Sequence, residues 1–556
     1  MASMRKQKVG KYTYWQIVES KRVNGKPRPF LAKHLGTADQ LLYKLTKGPF
    51  KVKIRSASHG AVYLLHKIAE ELELEHIFCK HFSNQVRDGL KAGKSLLLAA
   101  IHRVVRPGSK RSFACWAKQT TLPDICGFDP YRLSSQHFWD QMDTVTDEQI
   151  ERVEKEITAK MIEKNLLSSK LLFYDLTNFY TYIDTKNDRS TLAKRGKNKQ
   201  KRNDLRQFGL AQIVTKEFLI PVLSQVYEGN KSEKALFTPF ITRLRKNLSE
   251  LNMDIEELTI VFDKGSNSED NFTQLDELEI PYVASLTAVH HKDLVNIPLT
   301  DYHKLTTKDK ELPCYRTKKL IWGKERTVVV YLSGKLRQGQ LRGLEQALVK
   351  KYEQITELKE QLNAPRSRKK KRQDIEKKIE DILKGERGTS LINYSISQTS
   401  EGRFDINWEI DRKNYEWVTQ NLFGKRILVT DRDDWTEEEI IAAYMGQSNI
   451  ERVFKHFKNP YHHAVHPQFH WTDQKVKVHT FICITALLLS QVLAKKAKDC
   501  GYNYSVEALI DRLSEVRRAE IVTITGMKGR PAKEKQLEEM EPELLMLYEQ
   551  LDKQSL

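Results

Sequence analysis

Residues 436–458 read TEEEIIAAYMGQSNIERVFKHFK. The spacing of apolar residues predicts one helix from Thr436 to Lys458, with Thr436 and Glu439 forming a capping box at its start. At 3.6 residues per turn, Tyr444, Gln447, Glu451 and Lys458 fall within an arc of about 60°. Ile450, Val453, Phe454 and Phe457 lie on the neighbouring face, which suits packing against a core. One rigid face thus presents a carboxylate with a phenol, an amide and an amine, a set suited to a metal ligand beside a phosphate backbone. An ordinary solvated helix face also mixes acids and bases, so the face does not decide by itself.

Two upstream segments add to it. Lys170–Tyr180 reads KLLFYDLTNFY, an apolar and aromatic strand pattern carrying the single acid Asp175. Leu258–Asn271 reads LTIVFDKGSNSEDN, where a buried-strand pattern ends at Asp263 and a Gly/Ser/Asn turn follows. An acid at the tip of an apolar strand is costly to bury unless paired or bound to metal; the plainer alternative for each is a turn or helix-cap residue. Between them come a basic loop (Lys186–Arg206), strands Phe208–Val214 and Leu219–Tyr227, and an amphipathic helix over Glu233–Leu248. This α/β order, β-β-β-α-β, is that of a ribonuclease H-like fold, in which the fourth strand pairs beside the first and sets the two aspartates side by side.

These residues carry a family resemblance. The chain resembles the bacterial and archaeal insertion-sequence DDE transposases of the cut-and-paste, IS-four type, whose third-acid motif is Tyr-x2-Arg-x3-Glu-x6-Lys. Tyr444, Gln447, Glu451 and Lys458 stand at those spacings, with Gln447 where the family commonly has arginine. The blocks FYDLTNFY, RNDLRQFGLAQIV, YEGNKSE, VFDKGSNSEDN and HWTDQKVKVHTFICITALLL look like their family counterparts. The resemblance implies a DNA transposase with Asp175, Asp263 and Glu451 as catalytic, metal-holding acids. It implies two Mg²⁺ ions, for which Mn²⁺ can substitute, because magnesium prefers oxygen ligands and retains waters. Tyr444, Gln447 and Lys458, helped by Arg452 and Lys455 where Gln447 lacks an arginine's charge and fork, are the expected DNA contacts. The expected chemistry is cleavage at terminal inverted repeats, a hairpin intermediate, and strand transfer into target DNA by a homodimer in a synaptic complex. A ribonuclease H-like nuclease or resolvase, and an inactive domesticated DNA-binding protein, are the rival readings.

Composition is compatible with a polyanion partner: 556 residues with Lys plus Arg 93 against Asp plus Glu 73, net +20. The six cysteines show no zinc or disulfide spacing. The amino terminus lacks a signal-peptide core, and the longest apolar run, Phe481 to Ala494, is too short to span a bilayer. The expectation is a soluble cytoplasmic, nucleoid-associated protein with no membrane partner.

The expected domains are a β-hairpin unit at 1–54, a helical DNA-binding region at 55–168, core segments at 169–290 and 425–499, an insertion domain at 291–424 and a helical tail at 500–556. Asn24-Gly25 marks the hairpin turn. Thr146 and Gln149 cap a helix in the second region. In the insertion, Leu341, Leu344, Leu348, Tyr352, Ile355, Leu358 and Leu362 form a heptad-like stripe. Asn363-Ala364-Pro365 then breaks it, and a second helix through Ile375, Ile379 and Ile382 completes a helical hairpin with a basic tip at Arg366–Arg372. His462, His463, His466 and His470 sit in a Pro-interrupted loop without partner cysteines, a setting for packing or DNA contact more than for zinc.

Overall fold

A computed structural model describes residues 2–23, 26–46, 52–167, 170–197, 202–253, 256–307, 310–364, 371–385, 387–399, 402–461, 463–466, 468, 470–523 and 532–556. The Asn24-Gly25 turn, most of the basic tip (365–370) and His462 lie outside the described residues. The chain divides into two compact units: residues 1–67, 109–135 and 496–555 in one, and 68–108 with 136–495 in the other.

In the first unit, strands Ala2–Val9, Tyr12–Val23 and Lys26–Thr37 form a three-stranded antiparallel sheet, one strand more than the hairpin predicted. A second sheet joins Val52–Ser58 to Arg517–Thr523 and that strand to Ala532–Leu537. The tail is therefore not purely helical. Its charged residues suggest a solvated helix, but Ala519 alternates inward with polar neighbours once Val52–Ser58 supplies a partner. Helix Pro542–Lys553 follows.

The second unit is built on a nine-stranded mixed sheet. Its strands, with those of an attached hairpin, are numbered within this unit as follows: β1 Leu171–Thr181, β2 Arg206–Thr215, β3 Pro221–Glu228, β4 Thr259–Phe262, β5 Tyr282–Leu286, β6 His303–Thr307, β7 Lys310–Ile321, β8 Lys324–Leu332, β9 Ile392–Gln398, β10 Phe404–Ile410 and β11 Lys425–Thr430. The sheet order is β6-β7-β8-β11-β5-β4-β1-β2-β3. β1, β2 and β3 are antiparallel neighbours, whereas β4 runs parallel to β1 and β5 parallel to β4. β6 to β8 fall in the stretch the sequence assigns to the insertion, yet they extend this sheet through β11.

Helices cover both faces: α1 Glu233–Glu250, α2 Glu269–Glu277, α3 Gly334–Asn363, α4 Arg372–Leu383, α5 Glu437–Gln447, α6 Ile450–Lys458 and α7 Asp473–Asp499. Strand side chains alternate between faces. Leu172, Tyr174 and Leu176 of β1 pack with Phe237 and Phe240 of α1. Phe173 and Phe179 pack on the other side with Ile440 and Ile441 of α5, Phe457 of α6 and Leu487 of α7. α7 is longer than the apolar run suggests. It is long and apolar enough to cross a membrane by length and composition, but 89% of its apolar window is buried inside the protein.

α3 and α4 form a separate small core with the β9–β10 hairpin, where Ile355, Leu358 and Leu362 meet Ile375, Ile379 and Leu383. Tyr352 leaves the predicted stripe and is 52% exposed. Lys351 is buried in its place, its ammonium donating to the carbonyls of Ile382 (2.8 Å) and Lys384 (3.0 Å) at the end of α4.

Candidate active site

Asp175 lies mid-way along β1, on the face it shares with Phe173 and Phe179 and therefore toward α5 and α6. In the β1–β4 pairing Thr259 stands opposite Leu171 and Val261 opposite Phe173. Carried forward two residues, that register sets Asp263 beside Asp175 on strands about 4.8 Å apart. Asp263 is the first residue past β4, in extended conformation ahead of the short turn Lys264–Ser266.

The third acid arrives from the opposite layer. α5 begins with the expected capping box: the Glu439 N–H donates to the Thr436 hydroxyl (3.3 Å), and the Thr436 N–H donates to the Glu439 carboxylate (2.9 Å). The predicted single helix is broken, however. α5 stops at Gln447 and α6 starts at Ile450. Across the break the Asn449 N–H donates to the Gly446 carbonyl and the Arg452 N–H to the Asn449 carbonyl, bonds that each span only three residues. Gly446, Ser448 and Asn449 are poor helix formers, and the Ser448 hydroxyl takes up the Met445 carbonyl at 3.0 Å. Gly446 also allows close approach: a Cβ there would stand 2.7 Å from Cζ of Phe173, two residues before Asp175.

Asp175, Asp263 and Glu451 line one cavity of about 350 Å³, joined by Tyr444, Gln447 and Arg426. Among the described residues no three His, Cys, Asp or Glu side chains converge into a ready-made metal cage. The three acids share the cavity wall instead.

Tyr444 has a different position from the phosphate contact expected of it. Its buried hydroxyl donates to the Asp263 carboxylate at 3.1 Å and accepts from the Arg426 guanidinium at 3.1 Å. Burial, with the neighbouring Asp263 charge, pushes this phenol up to about 12, so it stays a donor at neutral pH. Ser285 on β5 donates to the same Asp263 oxygen at 2.6 Å. Desolvation raises the Asp263 carboxyl, but the Ser285 hydroxyl, the Lys264 N–H and the Tyr444 hydroxyl outweigh it and hold the group below the usual carboxylate range.

Gln447 is buried and lines the cavity. Arg452 and Lys455 are exposed and outside its lining. Lys458 is also outside it, with its ammonium 5.9 Å from the Phe179 ring centroid. The sequence reading missed Ser285 and Arg426. Ser285 sits within the apolar strand β5 and Arg426 follows Lys425 at the start of β11, so neither stands out in the sequence by itself.

Four carbonyls, those of Asp184, Asn187, Ser190 and Ala193, accept from the Arg206 guanidinium and fold the basic loop after β1. Asp473, the first residue of α7, accepts from the Ser190 and Thr191 hydroxyls. Lys186, Arg189, Arg195 and Lys197 of this loop are exposed. The loop histidines pack: His466 lies against Tyr180 (4.6 Å between ring centroids) and is pushed down to about 4 by burial and by Lys458, while His470 lies against Trp139 and His479.

No curated relative matches the chain. Among solved structures, the cryo-EM structure of a piggyBac transposase synaptic complex with hairpin DNA is similar at 9% identity and a TM-score of 0.34, covering 82% of this chain and 78% of that one. The family model of the transposase DDE domain matches residues 181–489, more than half of the 556 and a span that holds Asp263 and Glu451 but starts after Asp175. The chain belongs to the transposase DDE domain family and is a DDE transposase.

Proposed function

We propose that this transposase cuts the ends of its element and joins them to target DNA, with Asp175, Asp263 and Glu451 as its metal-holding acids. The observation that carries the reading is the convergence of three acids, from β1, the end of β4 and α6, on one cavity. The sheet order β3-β2-β1-β4-β5, with β4 and β5 parallel to β1, supports a ribonuclease H-like core.

The donor set fits Mg²⁺. Magnesium is usually held by one or two carboxylates together with waters and substrate phosphate oxygens, so a shared wall of three carboxylates suffices without a closed cage. Bound in pairs, such ions supply Lewis-acid stabilisation of the attacking and leaving oxygens in an in-line displacement; Mn²⁺ satisfies the same oxygen ligands. The protein's part is positional. Ser285 and Tyr444 both donate to one oxygen of the Asp263 carboxylate and hold it in place. The register of β1 and β4 holds Asp175 beside it, and the break before α6 sets the orientation of Glu451. No side chain is needed as a nucleophile. The exposed cations of the loop after β1 suit the DNA backbone. The family resemblance adds a hairpin intermediate and a homodimer on paired ends.

The test uses a duplex carrying the inverted repeat that flanks the gene. Asp175→Ala, Asp263→Ala and Glu451→Ala should each abolish Mg²⁺-dependent end cleavage while DNA binding persists. Asp184→Ala, Asp188→Ala and Asp270→Ala should cleave normally. Near wild-type cleavage by one of the first three removes that residue from the site. Hairpin ends should appear as fold-back products on denaturing gels.

A further inference from the structure

The cavity of the three acids must admit a phosphodiester, which is itself anionic. Close approach of that group to three carboxylates calls for a cation on the same wall in addition to metal. α5 and α6 do not provide one there: Gln447 is a neutral amide, and Arg452, Lys455 and Lys458 lie outside the lining. Among the described residues that line the cavity, the single cation is Arg426.

Its place follows from the sheet. Ile427 and Val429 of β11 enter the core beneath α1, whereas Leu428 enters the core beneath α5. Alternation therefore puts Arg426 on the Leu428 side, the side of Asp175. It is paired across the sheet with Tyr331 of β8, which packs on that same side. The guanidinium carbon stands 5.6 Å from the Tyr444 ring centroid, and one Nη1 donor goes to the Tyr444 hydroxyl. Among the described residues Arg426 makes no ion pair with a carboxylate. A guanidinium carries five donors in a planar fork, so a single bond to Tyr444 leaves the geometry for bidentate contact with phosphate oxygens.

We propose that Arg426 is the phosphate-holding residue of this active site, contributed by the sheet where position 447 of the helix carries only an amide. The inference rests on the reading of the cavity as a DNA-cleaving site. Arg426 then joins two functions. One edge of its fork steadies Tyr444 and through it Asp263, and the other meets the DNA backbone beside the metal-holding acids.

The experiment measures binding of a fluorescent terminal-repeat duplex against salt, with Ca²⁺ in place of Mg²⁺, for the full-length protein. Each lost phosphate contact lowers the log–log salt slope by about 0.9. Arg426→Met should lower the slope by that amount, and Arg426→Lys should keep it. Adding Gln447→Arg to Arg426→Met should restore it, since the new guanidinium faces the same cavity. In Mg²⁺, Arg426→Met should slow single-turnover cleavage at least tenfold at saturating metal. A wild-type slope for Arg426→Met overturns the proposal, whatever happens to cleavage, and makes Arg426 a support for Tyr444 alone. If wild-type protein binds the duplex but never cleaves it, the DNA-cleaving reading fails instead, and the slopes still report on Arg426.

Discussion

Ser285 and Tyr444 both donate to one oxygen of Asp263, and hydrogen bonds to a charged group are worth about 1.5–3 kcal/mol each. Ser285→Ala and Tyr444→Phe should therefore leave the fold intact and raise the Mg²⁺ concentration for half-maximal end cleavage several-fold. Cleavage rates titrated against Mg²⁺ check this, and an unchanged requirement in both variants would mean the two hydroxyls do not orient the acid. The three acids proposed as metal ligands were visible in the sequence as candidates because each interrupts an apolar strand or occupies a fixed helical spacing. Their supports were not. Ser285 in YVASL and Arg426 in KRILVT acquire meaning only once β5 and β11 are placed beside β4 and under α5, and neither neighbour is encoded locally. Tyr444 stands at the motif spacing, but its inward hydrogen bond to Asp263 could not be read from the sequence.

Among elements, the junction of β1 with α5 and α6 is tightly packed. Gly446→Ala would place a methyl 2.7 Å from the Phe173 ring, an overpacking that costs about 1–3 kcal/mol. The expected outcome is a lower Tm together with slower cleavage, because the shift moves Glu451 relative to Asp175. A thermal melt and a cleavage assay on the same sample check both. The break at 448–449 escaped the sequence reading because apolar spacing continues across it, and periodicity does not register a change from four-residue to three-residue bonds.

Helix Asp147–Glu163, whose Thr146–Gln149 capping box is present, carries a second consequence. Glu154 is buried against Ser224 of β3, 3.8 Å from Arg243 of α1, and burial pushes its carboxyl up to about 7. For an acid raised in the folded state, the native protein holds the proton that the unfolded chain releases. Stability therefore falls as pH rises from the usual glutamate range to about 7 and stays lower above it. Glu154→Gln should raise Tm at pH 8 and change it little at pH 5. An equal shift at both pH values would show that the carboxylate is accommodated charged.

At the scale of the whole molecule, the charge of +20 predicts DNA binding that weakens steeply with salt. A log–log slope of several units is expected, since each phosphate contact adds about 0.9. A nearly flat response in a fluorescence titration would shift the excess charge to a protein partner. The central β-β-β-α-β order was legible from alternating apolar runs and turn signals. The width of the sheet was not: β6 to β8 read as part of an insertion because a strand's partner is absent from its own sequence, and only the pairing of β8 with β11 joins them to the core. The same long-range assembly governs when the cavity first exists during synthesis. Asp175 and Asp263 emerge early, but α6 and its Glu451 come only after β6 to β11 have been made. At about 5–20 residues per second, a ribosome holds this chain for tens of seconds without its third acid. A nascent chain thus passes most of its synthesis without Glu451, and completion of the proposed site is timed by the order of the gene itself.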